Sequence, residues 1–494
     1  MDKHLLSKST FIRGHQCLKS LYLYKRRNFL RDPLPPDQLA KFMRGSEVGV
    51  YARNLFPGGI NCQPASPSQY RKAVEKTRQV IESGSHDVIY EAAFQYDQVL
   101  ILLDILVKEN GKWKAYEIKS SLRISETYLA DAALQFFVLT NSGIDPHDFS
   151  LVHINPNYQR NGGLNIHALF YIESVLEKVK HMQPWVKTLI EAEKEVLTAP
   201  HSPRIDIGIY CQQPYPCDFT RHCWKHVKPG SVFDLIGFSV EEKFDLYCKG
   251  ILHIKDIPAQ QLNSAAKRNE YLSVLNGEEF IDFDGLGNYL NQISSTFRFV
   301  HFLGRKVAIP SHARHKPYDL EAICISICTE NIPAHGTQIW QNKASGDSTD
   351  VEALGFLDRH ISETDSLVVF DGDRLREFIT RTAERHPELS GKARRLKENI
   401  VELGMVFEKM LYFEPKLRGD FSPANIARIL LGRDIGKTMP LTSDIQAINE
   451  FARMMQASVS SEKEQMHEAI CNYSTYNVKQ LRELYRFLQL KLMD

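Results

Sequence analysis

Two carboxylates and a lysine have a spacing that would bring them together on a β-hairpin. Asp104 lies six residues before Asn110, and Glu117 lies six residues after Gly111. Asn-Gly is the strongest short-range signal for a two-residue hairpin turn, and such a turn fixes which strand positions face each other. This register places Asp104 opposite Glu117. Lys119 lies on the same face as Glu117, because strand side chains alternate with a period of two.

Two facing carboxylates need a positive charge between them, since like charges about 4.5–5.5 Å apart are destabilising. Hard oxygen ligands with open positions suit Mg²⁺ or Mn²⁺, which can activate a water molecule and neutralise charge on a phosphodiester. Lys119 could position that water or stabilise the transition state. A surface hairpin with solvated acids is the simpler interpretation. However, Asp104 interrupts the apolar run 99–107, where a solvated acid is poorly explained.

Two further residues could complete such a site. Glu47 lies on a predicted helix among small residues, which would let its carboxylate approach a sheet as a third metal ligand. An acid on an amphipathic helix is more often simply exposed. Gln135 lies on the predicted helix after Lys119, where its amide could orient the water or a phosphate.

The predicted elements around these residues alternate between helix and strand. Apolar, β-rich stretches predict strands, and periodic apolar patterns bounded by Gly or Pro predict helices. The predicted strands are 88–94, 99–107, 113–118 and 149–155, and the predicted helices are 7–25, 37–55, 70–83, 125–141 and 171–197. This order is typical of an α/β core.

The chain resembles the RecB-like members of the PD-(D/E)XK nuclease superfamily. It is most similar to the branch with an iron–sulfur cluster, which includes the CRISPR-associated RecB-type exonucleases and AddB, and to an uncharacterised bacterial family that joins this module to an RNase H-like domain. The match spans roughly residues 5–225 and includes Arg44-Gly45-Ser46-Glu47, Asp104, Glu117-Ile118-Lys119 and Gln135.

The resemblance implies roles for the matched residues. Asp104 and Glu117 would bind the metal, Glu47 would complete the site, and Lys119 would be catalytic together with Gln135. Leu139 stands where the related pattern often has a tyrosine, so a phosphate or base contact from this position is not expected.

Four of the nine cysteines have the arrangement of a cofactor site. Cys211, Cys217 and Cys223 lie in one short segment, and Cys17 lies in the first predicted helix. Four thiolates suit a [4Fe–4S] cluster, whereas a structural zinc site normally has close Cys-x₂₋₄-Cys pairs, which are absent here. The related nucleases likewise carry one cysteine before the core and three after it. We interpret the other five as core or surface thiols: Cys62, Cys248, Cys324, Cys328 and Cys471.

A chain of 494 residues is too long for one core, so several compact units are expected. We predict an α/β fold with a RecB-like PD-(D/E)XK nuclease core, a mixed sheet flanked by helices, over residues 1–228. A helical bridge (229–276) and an RNase H-like α/β domain (277–494) would follow. The chain shows no apolar run of membrane-spanning length and no apolar secretory signal, which predicts a cytoplasmic protein with reduced thiols.

The second half has acids that resemble a DEDD-type, two-metal exonuclease site. Asp282 and Asp284 alternate in a predicted strand, which would put both carboxylates on one face. Asp373 is a candidate third acid. Asn477 and Glu402 stand where the related pattern has aspartate. Because an amide in place of a carboxylate weakens metal binding, we expect this domain to be degenerate.

These observations predict a metal-dependent nuclease that hydrolyses DNA, at single strands or ends, in repair, recombination or defence. Residues 1–31 carry eight basic residues and one acid, with interleaved aromatics. That segment could track a phosphate backbone or form a solvated helix face. The alternatives are a non-catalytic nucleic-acid-binding scaffold and an RNA-directed nuclease using the second domain. Asp104, Glu117 and Lys119 together favour the enzyme, and Asn477 disfavours the RNA-directed alternative.

Overall fold

The structure is a computed structural model that describes residues 4–33, 47–330, 336–343, 349–437 and 439–493. The chain forms two compact units, one of residues 1–226 and 308–310, the other of residues 227–307 and 311–494. Each unit combines helices with a β-sheet, which confirms the expected α/β class at this level. The segment predicted as a bridge belongs to the second unit. Among the described helices, none has both the length and the apolar character needed to cross a bilayer.

A seven-stranded mixed sheet forms the centre of the first unit. Its strands are β1 (Leu6–Ser7), β2 (Ile60–Asn61), β3 (Val88–Tyr96), β4 (Val99–Glu109), β5 (Lys112–Lys119), β6 (Asp148–Ile154) and β7 (Phe170–Ser174). Strands β2 to β7 are neighbours in chain order. One edge of β4 pairs with β3. On the other edge, residues 105–109 of β4 pair with β5, and residues 99–100 of β4 pair with β1. Residues 101–104 therefore border an opening between β1 and β5.

Helices cover this sheet. They are α1 (Lys8–Gln16), α2 (Leu18–Arg26), α3 (residues 47–52), α4 (Tyr70–Ser83), α5 (Glu126–Asn141), α6 (Ile166–Leu169), α7 (Leu176–His181), α8 (Gln183–Thr198) and α9 (Thr220–Cys223). The α5 helix begins as predicted, with the Ser125 side chain accepting the N–H of Tyr128.

Two of the predicted helices are interrupted. The predicted helix 7–25 breaks at Cys17, whose extended backbone (φ −164°, ψ 115°) ends α1 and begins α2. The prediction of one helix over 171–197 was wrong in its first part, because residues 170–174 form β7 against β6. Pro184 then favours a new helix start, since proline fits the first turn and not a helix interior.

A buried acid lies where α8 packs against α1. A Cβ at position 14 would collide with the Glu193 carboxylate, so Gly14 allows the two helices to approach. The Glu193 side chain is fully buried, and neither of its oxygens has a hydrogen-bond partner among the described residues. Burial raises the pKa of this carboxyl to about 9. The protein therefore holds Glu193 protonated at neutral pH.

Glu193→Gln is expected to flatten the dependence of stability on pH. The pKa of Glu193 is raised on folding, so its contribution to stability is complete below the unfolded pKa of 4.5 and is lost as the pH rises to about 9. At roughly 1.4 kcal/mol per pH unit, the wild type should lose about 3 kcal/mol by pH 7 relative to the variant. Denaturant unfolding at several pH values measures this difference. Glu191→Gln, an exposed change on the same helix, is the control; parallel profiles for wild type and Glu193→Gln would contradict the prediction.

The second unit contains a five-stranded mixed sheet in the order β11-β10-β9-β12-β13. Its strands are β9 (Phe297–Lys306), β10 (Leu320–Cys328), β11 (Gln338–Gln341), β12 (Ser366–Val369) and β13 (Ile400–Glu402). Strands β9 to β11 pair antiparallel, whereas β12 is parallel to both β9 and β13. A separate two-stranded sheet pairs β8 (Phe280–Ile281) with β14 (Tyr412–Phe413).

The second unit also contains helices, several of which pack against its strands. They are α10 (Val240–Cys248), α11 (Ala265–Asn276), α12 (Phe283–Leu290), α13 (Thr349–His360), α14 (Asp373–Arg385), α15 (Ser390–Glu398), α16 (Met405–Glu408), α17 (Pro423–Leu430), α18 (Asp444–Gln456) and α19 (Ser460–Leu490).

The predicted placement of Asp282 and Asp284 on one strand face is wrong. Strand β8 ends at Ile281, and Asp282 is the N-cap of α12, where its carboxylate accepts the N–H of Gly285 at 2.9 Å. Asp284 lies in the first turn of that helix. Aspartate is a strong N-cap residue, and this local preference outweighs the short apolar pattern that predicted a strand. Neither acid belongs to the five-stranded sheet.

Candidate active site

The β4–β5 hairpin has the predicted register. Glu109 pairs with Lys112 and Ile105 pairs with Tyr116, as a turn at Asn110-Gly111 requires. The regular ladder stops there, one position before Asp104 and Glu117. A regular ladder would continue with main-chain oxygens as acceptors. Here the main-chain N–H of Ile118 donates instead to the side chain of Asp104, at Oδ2 and 2.7 Å. The two carboxylates thus lie where the strands begin to separate.

Lys8, the first residue of α1, reaches into the opening between β1 and β5. Its Nζ donates to the main-chain oxygen of Leu102 at 3.2 Å and to Glu117 Oε1 at 2.7 Å. In the sequence, Lys8 is distinguished only as one of the basic residues of segment 1–31. Its partner is 109 residues away in the chain, so no local pattern could reveal the contact.

Lys119 connects the hairpin to α5. Its Nζ donates to Glu117 Oε1 at 2.8 Å and to Asp131 Oδ2 at 2.5 Å. Glu117 and Asp131 are buried, and Lys119 is mostly buried. Asp131 was not among the residues predicted from the sequence, although it lies one helical turn before Gln135. The structure therefore brings two lysines and at least three carboxylates together at one opening in the sheet.

Each charge in this group changes the pKa values of its neighbours. Burial and the neighbouring Glu117 charge raise the pKa of Asp104 to about 8. Burial also acts to raise the pKa of Glu117, but the charges of Lys119 and Lys8 outweigh it and lower that pKa. Burial opposes the charged form of Lys119, yet Asp131 and Glu117 raise its pKa. The negative charge of the pair is therefore held more readily by Glu117 than by Asp104.

Several buried polar atoms in the site lack a hydrogen-bond partner among the described residues. They are Glu117 Oε2, Asp131 Oδ1, and both Oε1 and Nε2 of Gln135. The Gln135 side chain is fully buried, and it lies one helical turn after Asp131 on α5. Buried polar groups without partners are costly. Free carboxylate and amide oxygens of this kind fit a hard cation and its water.

Glu91 adds a further carboxylate on the other side of Asp104. It occupies the β3 position opposite Asp104, between the paired positions Tyr90 and Ala92, and has a positive φ of 53°. Its Oε1 accepts a hydrogen bond from Arg53 Nη2 at 2.8 Å. The sequence signal was the same as for Asp104, an acid that interrupts an apolar strand.

Glu47 lies apart from the metal-binding geometry expected of it. Its side chain is exposed on α3. The carboxylates of Glu47, Asp104 and Glu117 do not all come within 4.8 Å of one another. Residues 44–46, which belong to the same motif, lie outside the described residues. Its role as a third ligand stays a prediction.

The four predicted cysteines line one small cavity. Cys17 comes from the break between α1 and α2, and Cys211, Cys217 and Cys223 come from the segment before and within α9. The Cys217 N–H donates to the Cys211 oxygen at 2.8 Å, which closes the loop between them. Burial raises the pKa of Cys17 and Cys217, and raises that of Cys223 to about 11. The thiol side chains therefore face a common, partly desolvated space.

An ion-pair cluster joins the cysteine loop to the N-terminal helices. Asp218 accepts hydrogen bonds from Arg13 at 2.5 and 3.1 Å and from Arg31 at 2.5 Å. Arg13 also lies over the Tyr24 ring, with its guanidinium carbon 4.5 Å from the ring centroid. Part of the predicted basic, aromatic segment is thus used to hold the cysteine loop.

Acids of the second unit gather at the ends of β12 and β13. Asp371, Asp373 and Glu402 each have a carboxylate oxygen within 4.8 Å of the others. The Arg376 guanidinium already binds Glu402, and the Gly372 N–H donates to Glu402 Oε2 at 2.8 Å. Glu402 is therefore compensated by the protein itself.

Asn477 lines a cavity of about 460 Å³ in the second unit together with Asp371. The polar wall of this cavity also contains His301 and Asp444, whose Nε2 and Oδ1 atoms are 3.7 Å apart. Tyr473 donates its hydroxyl to Asp444 at 2.9 Å. Asp282, which the sequence analysis grouped with Asn477, does not line this cavity.

Comparisons with known proteins do not assign the chain to a family or give it a function. No family model matches the chain, and no curated protein matches it. A solved structure described as "Crystal structure of SSO0001" is similar over 40% of this chain and 84% of that chain, with 14% sequence identity and a TM-score of 0.18. A similarity at this TM-score carries no argument.

Proposed function

We propose that the first unit is a metal-dependent nuclease that hydrolyses phosphodiester bonds of DNA, acting on single strands or strand ends. The observation that carries the proposal is the convergence of Asp104, Glu117 and Lys119 at the opening in the sheet, where a buried Glu117 oxygen has no partner among the described residues. Two carboxylates of this kind can hold Mg²⁺ or Mn²⁺, and a lysine beside them can bind a phosphate oxygen.

Each residue has a role in this proposal. Asp104 and Glu117 would hold the divalent cation, which would supply a Lewis acid and an activated water. Lys119 donates to a phosphate oxygen. The buried amide of Gln135 orients the attacking water.

We also propose that the four cysteines hold a [4Fe–4S] cluster. They line one cavity, and four thiolates in one place suit such a cluster. The close Cys-x₂₋₄-Cys pairs that a structural zinc site normally has are absent from these four residues. Such a cluster would fasten the N-terminal helices to the end of the first unit.

The second unit is proposed to support binding of the nucleic acid without hydrolysing it. Its cavity has Asn477 and His301 on the wall, and its nearby acid Glu402 is already bound by Arg376. This arrangement offers fewer free carboxylates to a pair of cations than a two-metal site needs. The first unit would then perform the chemistry.

The proposal is tested by cleavage assays on anaerobically purified full-length protein. Labelled single-stranded and double-stranded DNA and RNA are incubated with Mn²⁺, with Mg²⁺, or with a chelator. We expect cation-dependent cleavage of single-stranded DNA or of duplex ends. Tight binding without cleavage under every condition would contradict the proposal and favour the scaffold alternative.

A double variant tests the division of labour between the units. Asp282→Ala combined with Asp284→Ala should keep cleavage near the wild-type rate, because neither acid lies at the proposed site. The loss of the Asp282 cap should cost about 1 kcal/mol of stability. Initial rates and thermal unfolding measure the two effects. An inactive double variant, with Glu117→Gln still active, would reverse the proposed roles.

A further inference from the structure

Lys8 lies between two acceptors at the opening in the sheet of the first unit. Its Nζ donates to the main-chain oxygen of Leu102 at 3.2 Å and to Glu117 Oε1 at 2.7 Å. Lys8 is the first residue of α1, where a positive charge is unfavourable because the helix dipole is positive at that end. The contacts with the two strands, not the helix, therefore fix the position of this ammonium group.

A single oxygen of Glu117 binds two lysines. Lys119 Nζ lies 2.8 Å from the same Oε1 atom that Lys8 contacts at 2.7 Å, so the two ammonium groups are close neighbours. Glu117 Oε2 is buried and has no hydrogen-bond partner among the described residues. Two like charges thus share one half of the carboxylate, and the other half is left to a ligand.

Lys8 is the more easily released of the two lysines. Among the described residues its only carboxylate partner is Glu117, whereas Lys119 also binds Asp131 at 2.5 Å. The Lys8 side chain is 24% exposed, and that of Lys119 is 14% exposed. The Lys8 ammonium group can therefore turn from Glu117 toward solvent without leaving a second acid unpaired.

The charged groups around the opening nearly balance one another. Its cationic groups are Lys8, Lys119 and Arg53, and its carboxylates are Asp104, Glu117, Asp131 and Glu91. With all of them ionised, the acids exceed the cations by one charge. A divalent cation would reverse the sign of this excess, and the single charge of a phosphodiester would then restore neutrality, which buried charges require. Without Lys8, a divalent cation alone would restore it, so Lys8 creates the need for the phosphate.

We propose that Lys8 is an internal counter-ion of Glu117 that couples the binding of the divalent cation to the binding of a nucleic-acid strand. Its ammonium group leaves Glu117 for a phosphate oxygen of the strand, and the Glu117 carboxylate is thereby freed for the cation. This inference rests on the proposed function and adds the regulation of the same site. Because coupling between two ligands is reciprocal, strand and cation each raise the affinity for the other by the same factor. The protein holds the cation tightly only when a strand is bound.

Calorimetric titration of the anaerobically purified full-length protein with Mn²⁺ tests the coupling in the wild type. The titration is made without a strand, with a phosphorothioate oligodeoxythymidylate that keeps the backbone charge and resists hydrolysis, and with an uncharged methylphosphonate strand of the same length. The charged strand should tighten Mn²⁺ binding about tenfold, which is within the usual range for coupling between two sites. The uncharged strand should leave the Mn²⁺ affinity unchanged.

Lys8→Met removes the ammonium group and keeps most of the length of the side chain. This variant should bind Mn²⁺ alone about tenfold more tightly than the wild type, because one positive charge beside the ligands is gone, and the charged strand should add little. Lys8→Arg, which keeps the charge, should show wild-type coupling. Lys194→Met is the matched control, since the Lys194 side chain is also mostly buried (19% exposed) but pairs with Asp97, outside the charged groups of the opening. It should keep wild-type coupling, and thermal unfolding verifies that each variant is folded.

Equal Mn²⁺ affinity with and without the charged strand in the wild type would overturn the inference, whether or not Lys8→Met folds. An equal effect of the uncharged strand would also overturn it, as would weaker Mn²⁺ binding or undiminished coupling in Lys8→Met. Coupling that is lost in Lys8→Met, in a protein that never cleaves, would uphold the inference and contradict the nuclease. Cleavage by a wild-type protein without coupling would do the reverse.

Discussion

Glu117→Gln is expected to abolish cation-dependent cleavage while leaving the protein folded. The variant removes the negative charge of Glu117. This charge binds Lys8 and Lys119, and in our proposal it also binds the cation. Losing several kcal/mol of transition-state stabilisation corresponds to a rate decrease of roughly a thousandfold or more. Glutamine has nearly the same shape as glutamate, so packing around the buried side chain is preserved. Single-turnover cleavage rates and calorimetric Mn²⁺ titration measure the two consequences.

Glu109→Gln is the matched control for this variant. Glu109 lies on the same hairpin but forms a mostly exposed ion pair with Lys114, and its loss should leave cleavage unchanged. Gln135→Ala should reduce cleavage less than Glu117→Gln and should leave Mn²⁺ binding intact. Wild-type cleavage by a folded Glu117→Gln protein would refute the mechanism proposed for the first unit.

Cys17→Ser is expected to remove the cluster and to destabilise the first unit. Wild-type protein purified without air should be brown, with a broad absorption near roughly 400 nm that is typical of thiolate-bound iron–sulfur clusters. The variant should be nearly colourless and should unfold at a lower temperature. Cys17 lies at the helix break, far in sequence from Cys211, so the cluster would close a long loop and contribute its binding energy to folding.

Cys248→Ser serves as the control, because Cys248 is an exposed thiol of the second unit. It should keep both the colour and the unfolding temperature. Iron and zinc analysis of the same samples decides the nature of the metal. Colourless wild-type protein with stoichiometric zinc would overturn the cluster assignment.

The hairpin was predictable because its determinants are local. Asn110 and Gly111 adopt the positive φ values that a tight turn needs, and every pair beyond the turn follows from them. The position of Lys119 relative to Glu117 follows from strand alternation alone. Sequence periodicity could therefore place these side chains on one face before any tertiary contact was known.

The rest of the site depends on contacts between distant segments. Asp131 and Lys8 reach Lys119 and Glu117 from two helices whose docking no local pattern describes. In the second half, the apolar stretch around Asp282 was predicted to be a strand. Asp282 is instead the N-cap of a helix. Short apolar segments are compatible with either structure, and the N-cap preference decided the outcome.

The opening between β1 and β5 also determines when the site is completed during folding. The hairpin closes over a few residues and can form early, whereas the Lys8–Glu117 contact must wait until the N-terminal helix docks from 109 residues away. Before docking, the hairpin carries its acids without one of their cationic partners, so their repulsion opposes premature burial. Docking of α1 relieves that repulsion and fills the sheet edge in the same step. Docking of α1 and assembly of the proposed site are thus coupled, and a nascent chain could complete the proposed site only after α5, which carries Asp131, has been synthesised.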